Sequence, residues 1–129
     1  MNEGNNSSFK FKDLTVYKKA FALSMEIFSI SKKFPGEEKY GLTSQIRRSS
    51  RSVCSSIGEG YRKRRYKAHF VSKTSDADME NSETSVWIDF AFECGYIDKT
   101  TQISLNERAA EIGRMLNHMM ENPAKYNRN

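Results

Sequence analysis

Apolar residues recur every three or four positions through four stretches of this chain, and only an α-helix gathers such residues on one side. In the first stretch Val16, Ala20, Leu23, Ile27, Ile30 and Phe34 form one line. A second line of Leu14, Tyr17, Phe21, Met25 and Phe28 runs about a third of a turn away. The spacing predicts a helix from an Asp13 N-cap to about Lys33, stopped by Phe34-Pro35-Gly36. A helix in a lone bundle needs a single apolar face. The second stripe therefore implies a covering subunit, with Leu14, Tyr17, Phe21, Met25 and Phe28 at an oligomer interface, or else a wider core face.

The second stretch is predicted to begin near Lys39 or Tyr40 and to reach Gly58–Gly60, with Leu42, Ile46, Val53 and Ile57 inward. Its many serines allow close helix approach, while Gly58 and Gly60, at about 1 kcal/mol each against alanine, leave its continuation open. The third runs from about Tyr66 to Cys94, with Phe70, Thr74, Ala77, Asn81, Thr84, Ile88 and Ala91 inward and a left-handed stop at Gly95. Tyr96-Ile97 then turns back onto the bundle. The fourth starts after an Asp98 N-cap and ends before Asn122-Pro123, along Leu105, Ala109, Ile112, Leu116 and Met119. Four amphipathic helices with short connections predict an all-α, antiparallel up-down four-helix bundle. Residues 11–122 form the bundle, residues 1–10 a disordered leader and residues 123–129 a C-terminal tail.

The net charge of +5 conceals a segregated pattern. Residues 39–73 hold ten Lys/Arg against one acid, Glu59, whereas residues 74–98 hold seven acids and no Lys or Arg. Such blocks imply a basic partner-binding face, basic-to-acidic pairing between helices or subunits, or both. No apolar run approaches the roughly 20 residues of a membrane span, and the polar start MNEGNNSSFKFK holds no secretory segment. A cytoplasmic protein without membrane contact is expected. Cys54 and Cys94 read as small buried apolar residues of a reducing compartment.

Catalytic signatures are absent from the sequence: no glycine-rich phosphate loop, no G-x-S-x-G elbow, no HExxH and no CxxC. His69 and His118 have no Cys or second His at helical ligand spacing. The stretch from Asp98 fails as a calcium loop, with Ile103 in the glycine position and Ala109 in that of the bidentate glutamate. No enzyme, cofactor or metal is expected. Glu80 and Glu83 lack the Glu-x-x-His partners of a di-iron site, so they read as structural ion-pairing residues facing the arginines of the second helix.

Tyr61-Arg62-Lys63-Arg64-Arg65-Tyr66-Lys67 places five cations in seven positions, four of them between two tyrosines. Cations would neutralise phosphates while the rings stack on bases, giving salt-sensitive, sequence-tolerant nucleic-acid binding. Arg47, Arg48 and Arg51 share a sector that would lengthen the patch. The competing reading is a protein-interaction module whose basic segment pairs with the acids of the third helix, within or between subunits, and holds no nucleic acid.

Several motifs in register also carry a resemblance. Phe34-Pro35, Glu38 to Arg48 (EKYGLTSQIRR), Ile57-Gly58-Glu59-Gly60-Tyr61, Glu80 to Thr84 with Trp87, Cys94 to Ile97 and Glu111 to Asn117 are the residues concerned. They resemble the bacterial four-helix-bundle proteins encoded in intervening sequences of large-subunit rRNA genes, often labelled ribosomal-protein-like, over roughly residues 9–127. That family is in turn similar to the accessory variability protein of diversity-generating retroelements, a basic pentameric barrel that binds nucleic acid and its reverse transcriptase. The resemblance thus implies a homopentamer, with RNA or DNA and a reverse transcriptase or other protein as candidate partners. One position departs from the pattern. Ser52-Val53-Cys54 lacks the proline that relatives often carry there, which predicts a weaker kink or none in the second helix.

Overall fold

The computed structural model of the chain describes residues 10–127. Residues 1–9 of the expected leader and 128–129 of the expected tail lie outside the described residues. The described chain forms α1 (Thr15–Ser31), α2 (Leu42–Arg62), α3 (Lys67–Glu93) and α4 (Lys99–Glu121), with 3-10 turns at Phe11–Asp13, Gly36–Glu38 and Pro123–Lys125. Each helix packs on the next and α1 closes against α4, the arrangement of an up-down four-helix bundle. Among the described residues there is no strand, and no helix is long and apolar enough to cross a membrane.

The core follows the apolar lines. Ile27 of α1, Ile46 and Ile57 of α2, Phe70 and Ile88 of α3, and Ile112 and Leu116 of α4 are almost wholly buried. Each such side chain contributes about 2–3 kcal/mol by leaving water. Polar side chains are buried as well, and most of their polar atoms are paired, the Asn81 Oδ1 being an exception. Ser49 and Thr84 hydroxyls lie 2.8 Å apart between α2 and α3, Ser24 and Ser50 hydroxyls 3.2 Å apart between α1 and α2, and Asn81 Nδ2 donates to the Ala109 carbonyl of α4 at 2.8 Å. Such pairing offsets the desolvation of the groups that make it.

Both glycines that left the end of α2 open lie inside the helix, which continues to Arg62. The reason is packing. A Cβ on Gly58 would come within 3.1 Å of the Phe11 ring, and one on Gly60 within 3.1 Å of Lys73 Cβ. Their missing side chains let the N-terminal turn and α3 approach the α2 backbone, and this contact outweighs the loss of helix propensity.

The helix ends correct two expectations. Asp13 does not cap α1: the chain first makes a 3-10 turn, Asp13 accepts the Lys10 N–H at 2.8 Å, and the N-cap position falls to Leu14. α2 begins at Leu42 rather than at Lys39 or Tyr40, because Gly36–Glu38 is a separate 3-10 turn. Glu38 takes the capping role from outside the helix, accepting the Leu42 N–H at 2.9 Å and the Tyr96 hydroxyl at 2.9 Å. The other ends agree with the sequence. Gly95 adopts φ +82°, Tyr96 N–H donates to the Ala91 carbonyl at 2.9 Å, and the Asp98 side chain accepts the Thr101 N–H at 2.8 Å. In the tail, Tyr126 stacks on Phe70 with 5.7 Å between ring centroids.

Candidate nucleic-acid interface

The basic run lies where α2 ends and α3 begins. Arg62, Lys63, Arg65, Tyr66 and Lys67 are exposed on this turn, with the Arg65 guanidinium 5.6 Å above the Tyr66 ring. Among the described residues none of Arg62, Lys63, Arg65 and Lys67 forms a salt bridge. Tyr61 corrects the expected pair of stacking rings. It is only 8% exposed, because it follows Ile57 by four residues and extends the buried line of α2. Arg64 closes over it, with the guanidinium 4.1 Å from the ring and Nη1 donating to the Tyr61 carbonyl at 3.0 Å. Arg64 is thereby half-buried and held to the bundle.

The arginines of mid-α2 divide between two neighbours, and only Arg47 and Arg48 are drawn away from the patch by bonds to them. Arg47 turns to α1, where Nε donates to Ser31 Oγ at 2.8 Å and the guanidinium sits 4.7 Å from the Phe28 ring. Arg51 lies 5.7 Å from the same ring but stays exposed. Arg48, one position and about 100° further round the helix, faces α3. It bonds Glu80 at 3.2 Å and also the Glu83 carboxylate, which accepts Trp87 Nε1–H at 3.1 Å.

The second stripe of α1 is not uniformly open. Leu14, Tyr17 and Phe28 are half-buried, whereas Phe21 and Met25 are 51% and 49% exposed. Tyr17, Phe21 and Met25 form one wall of a groove of about 600 Å³, with Phe11 at one end and Arg51 and Arg62 on the α2 side. A second concavity, of about 460 Å³, is lined by Glu59, Arg62, Lys63, His69 and Lys73. Lys73 binds Glu59 at 3.1 Å and Asp76 at 3.6 Å, and the hydrogen bond to Glu59 raises its ammonium above its ordinary value of 10.5. His69, Lys73 and Glu59 were not in the sequence-derived patch. Their signal was His69 and Lys73 at i and i+4 in the opening turns of α3.

Among the described residues no side chains gather as a nucleophile, base and orienter. His118 contacts Asn122 and Lys125, each 3.3 Å from a ring nitrogen. Among the described residues no group of three or more His, Cys, Asp or Glu is placed to hold a metal ion. The cysteines differ from one another. Cys54 is buried as expected, and burial pushes its thiol up to about 11; Cys94 is exposed beyond the last turn of α3, contrary to expectation.

A four-helix bundle with a cationic turn at one end defines a class of small all-α protein. The chain belongs to the 23S rRNA-intervening sequence protein family, whose profile matches residues 12–118. It is similar to a solved protein of unknown function from the S23 ribosomal protein family of Bacteroides thetaiotaomicron VPI-5482. The two share 27% identity and a TM-score of 0.76, over 85% of this chain and 98% of that one. No curated protein matches the chain.

Proposed function

We propose that this protein is a non-enzymatic, oligomeric scaffold that binds nucleic acid through the cationic turn between α2 and α3, with little sequence preference. The observation that carries this reading is the state of Arg62, Lys63, Arg65 and Lys67, exposed together and free of salt bridges among the described residues. Charge density of this kind fits phosphates, and the exposed Tyr66 ring offers a base a stacking surface. Within one chain the acids of α3 form no salt bridge to this turn among the described residues; Glu80 and Glu83 engage Arg48 instead.

The competing module, assembled by basic-to-acidic pairing, draws support from the exposed Phe21 and Met25. A second copy of the chain covering that face would make both readings compatible, with the cationic turns repeated around the assembly and affinity multiplied by effective concentration. Fluorescence anisotropy with a labelled structured RNA and a duplex DNA, at low and moderate salt, tests the proposal. The wild type is compared with a variant carrying Arg62→Gln, Lys63→Gln, Arg65→Gln and Lys67→Gln. Salt-sensitive binding that this variant loses supports the scaffold; no binding by a folded wild type refutes it and leaves the interaction module.

A further inference from the structure

We propose that the concavity between the end of α2 and the first turns of α3 is a phosphate-binding pocket, in which Arg62, Lys63 and His69 hold the oxyanion and Glu59 limits its affinity. The inference rests on the nucleic-acid reading for the source of the phosphate, but the pocket stands on its own geometry.

Three permanent cations, Arg62, Lys63 and Lys73, line one concavity of about 460 Å³ together with His69, and Glu59 is the one acid among its lining residues. The fields of like charges gathered around one recess add, so its local potential draws an anion. The recess also borders the start of α3 through His69. The N-terminal end of a helix carries partial positive charge, normally met by an acid or a capping side chain. α3 has neither: its first turn holds no acid, and its N-cap residue, Tyr66, makes no side-chain capping bond. Lys67 and His69 occupy the first and third helical positions instead. The recess meets this helix start at His69, and the cations around the recess are what carry the proposal.

Lys73 explains the role of Glu59. Its ammonium is already held by Glu59 and Asp76, at 3.1 and 3.6 Å. Glu59 therefore competes with any incoming anion for the same cation. Removing its charge leaves Lys73 available and should strengthen binding, whereas removing Lys63 or His69 should weaken it. The ligand chemistry is a phosphate oxyanion, either a diester within a strand or a free or terminal phosphate.

Two measurements on the full chain separate these sources, with wild type, Glu59→Gln, Lys63→Gln and His69→Gln compared. Labelled single-stranded RNA is titrated by anisotropy across a salt series, and inorganic phosphate is titrated while the His69 NMR resonances are followed. The expected result is severalfold tighter RNA binding by Glu59→Gln. Lys63→Gln should bind more weakly, with the slope of log affinity against log salt reduced by about 1. A gain in affinity cannot be imitated by partial unfolding. RNA binding unchanged in all three variants overturns the pocket and spares the nucleic-acid reading. No RNA binding by wild type, with phosphate shifting His69 in wild type but not in Lys63→Gln, overturns that reading and supports a site for free phosphate. Silence in both titrations overturns both.

Discussion

Arg48 of α2 reaches the Glu83 carboxylate of α3, and this contact divides the cations that brace the bundle from those left facing solvent. Glu80 takes a second nitrogen of the same guanidinium at 3.2 Å, and Trp87 Nε1–H donates to Glu83 at 3.1 Å. The pair is partly exposed, with side-chain accessibilities of 46% for Arg48 and 35% for Glu83, so solvent screens it. Replacing Arg48 by Gln should lower stability by about 0.5–1 kcal/mol in low salt and by less in high salt. Urea denaturation at the two ionic strengths reads this directly, and RNA affinity should change little.

Arg47 is committed to α1 by its bond to Ser31 and its place on the Phe28 ring. Substitution with Gln should destabilise the fold by about 1 kcal/mol and leave the slope of RNA binding against salt unchanged. Loss of slope without loss of stability would instead make Arg47 a phosphate contact.

Gly60 is the position where better helix propensity should fail. A Cβ there meets Lys73 Cβ at 3.1 Å, Thr74 Oγ1 at 3.4 Å and the Phe70 carbonyl at 3.5 Å, much of it atoms that cannot swing aside. Gly60→Ala should destabilise by about 1–2 kcal/mol through overpacking, despite a propensity gain of about 1 kcal/mol. At Gly36, where an added Cβ has nothing within 4 Å, alanine should be neutral or slightly stabilising. Thermal denaturation of the two variants distinguishes them.

Tyr96 carries a pH signature. Its hydrogen bond to Glu38, followed by burial, pushes its hydroxyl from an ordinary 10.0 to about 12. The folded state thus retains a proton that the unfolded chain has released between those values. The stabilisation is fully present below pH 10 and is lost as pH rises toward 12. Tyr96→Phe should be less stable at neutral pH and should show a flatter decline across that window, measured as urea midpoints against pH.

The two thiols should react very differently. Cys94 is exposed, whereas Cys54 is buried with its thiol raised to about 11. In the native protein an aromatic disulfide reagent at mildly alkaline pH should modify Cys94 alone, and Cys54 should react only on unfolding. Equal rates for both in the folded protein would contradict the burial of Cys54.

The inward lines of α3 and α4 were legible residue by residue, because burial along a helix repeats with the period of its backbone; Phe70 through Ala91 and Leu105 through Met119 are all in the core. Gly95 and Asp98 were legible for a similar reason, since a left-handed stop and an N-cap depend on residues within one turn of themselves. The candidate site was legible only as composition. Five cations in seven positions announce a charged segment, but not which of them the bundle keeps.

Local sequence alone therefore determined the helices, their inward faces, most of their ends and the presence of a cationic junction. Tertiary structure decided what those residues do. It drew Tyr61 inside and Arg64 over it, turned Arg47 to α1 and Arg48 to α3, and set His69 beside Lys63 around one recess. The physical reason is range. Helix periodicity and capping act across three or four residues, whereas the partner of a long charged side chain depends on which helix packs beside it, a contact made between residues tens of positions apart.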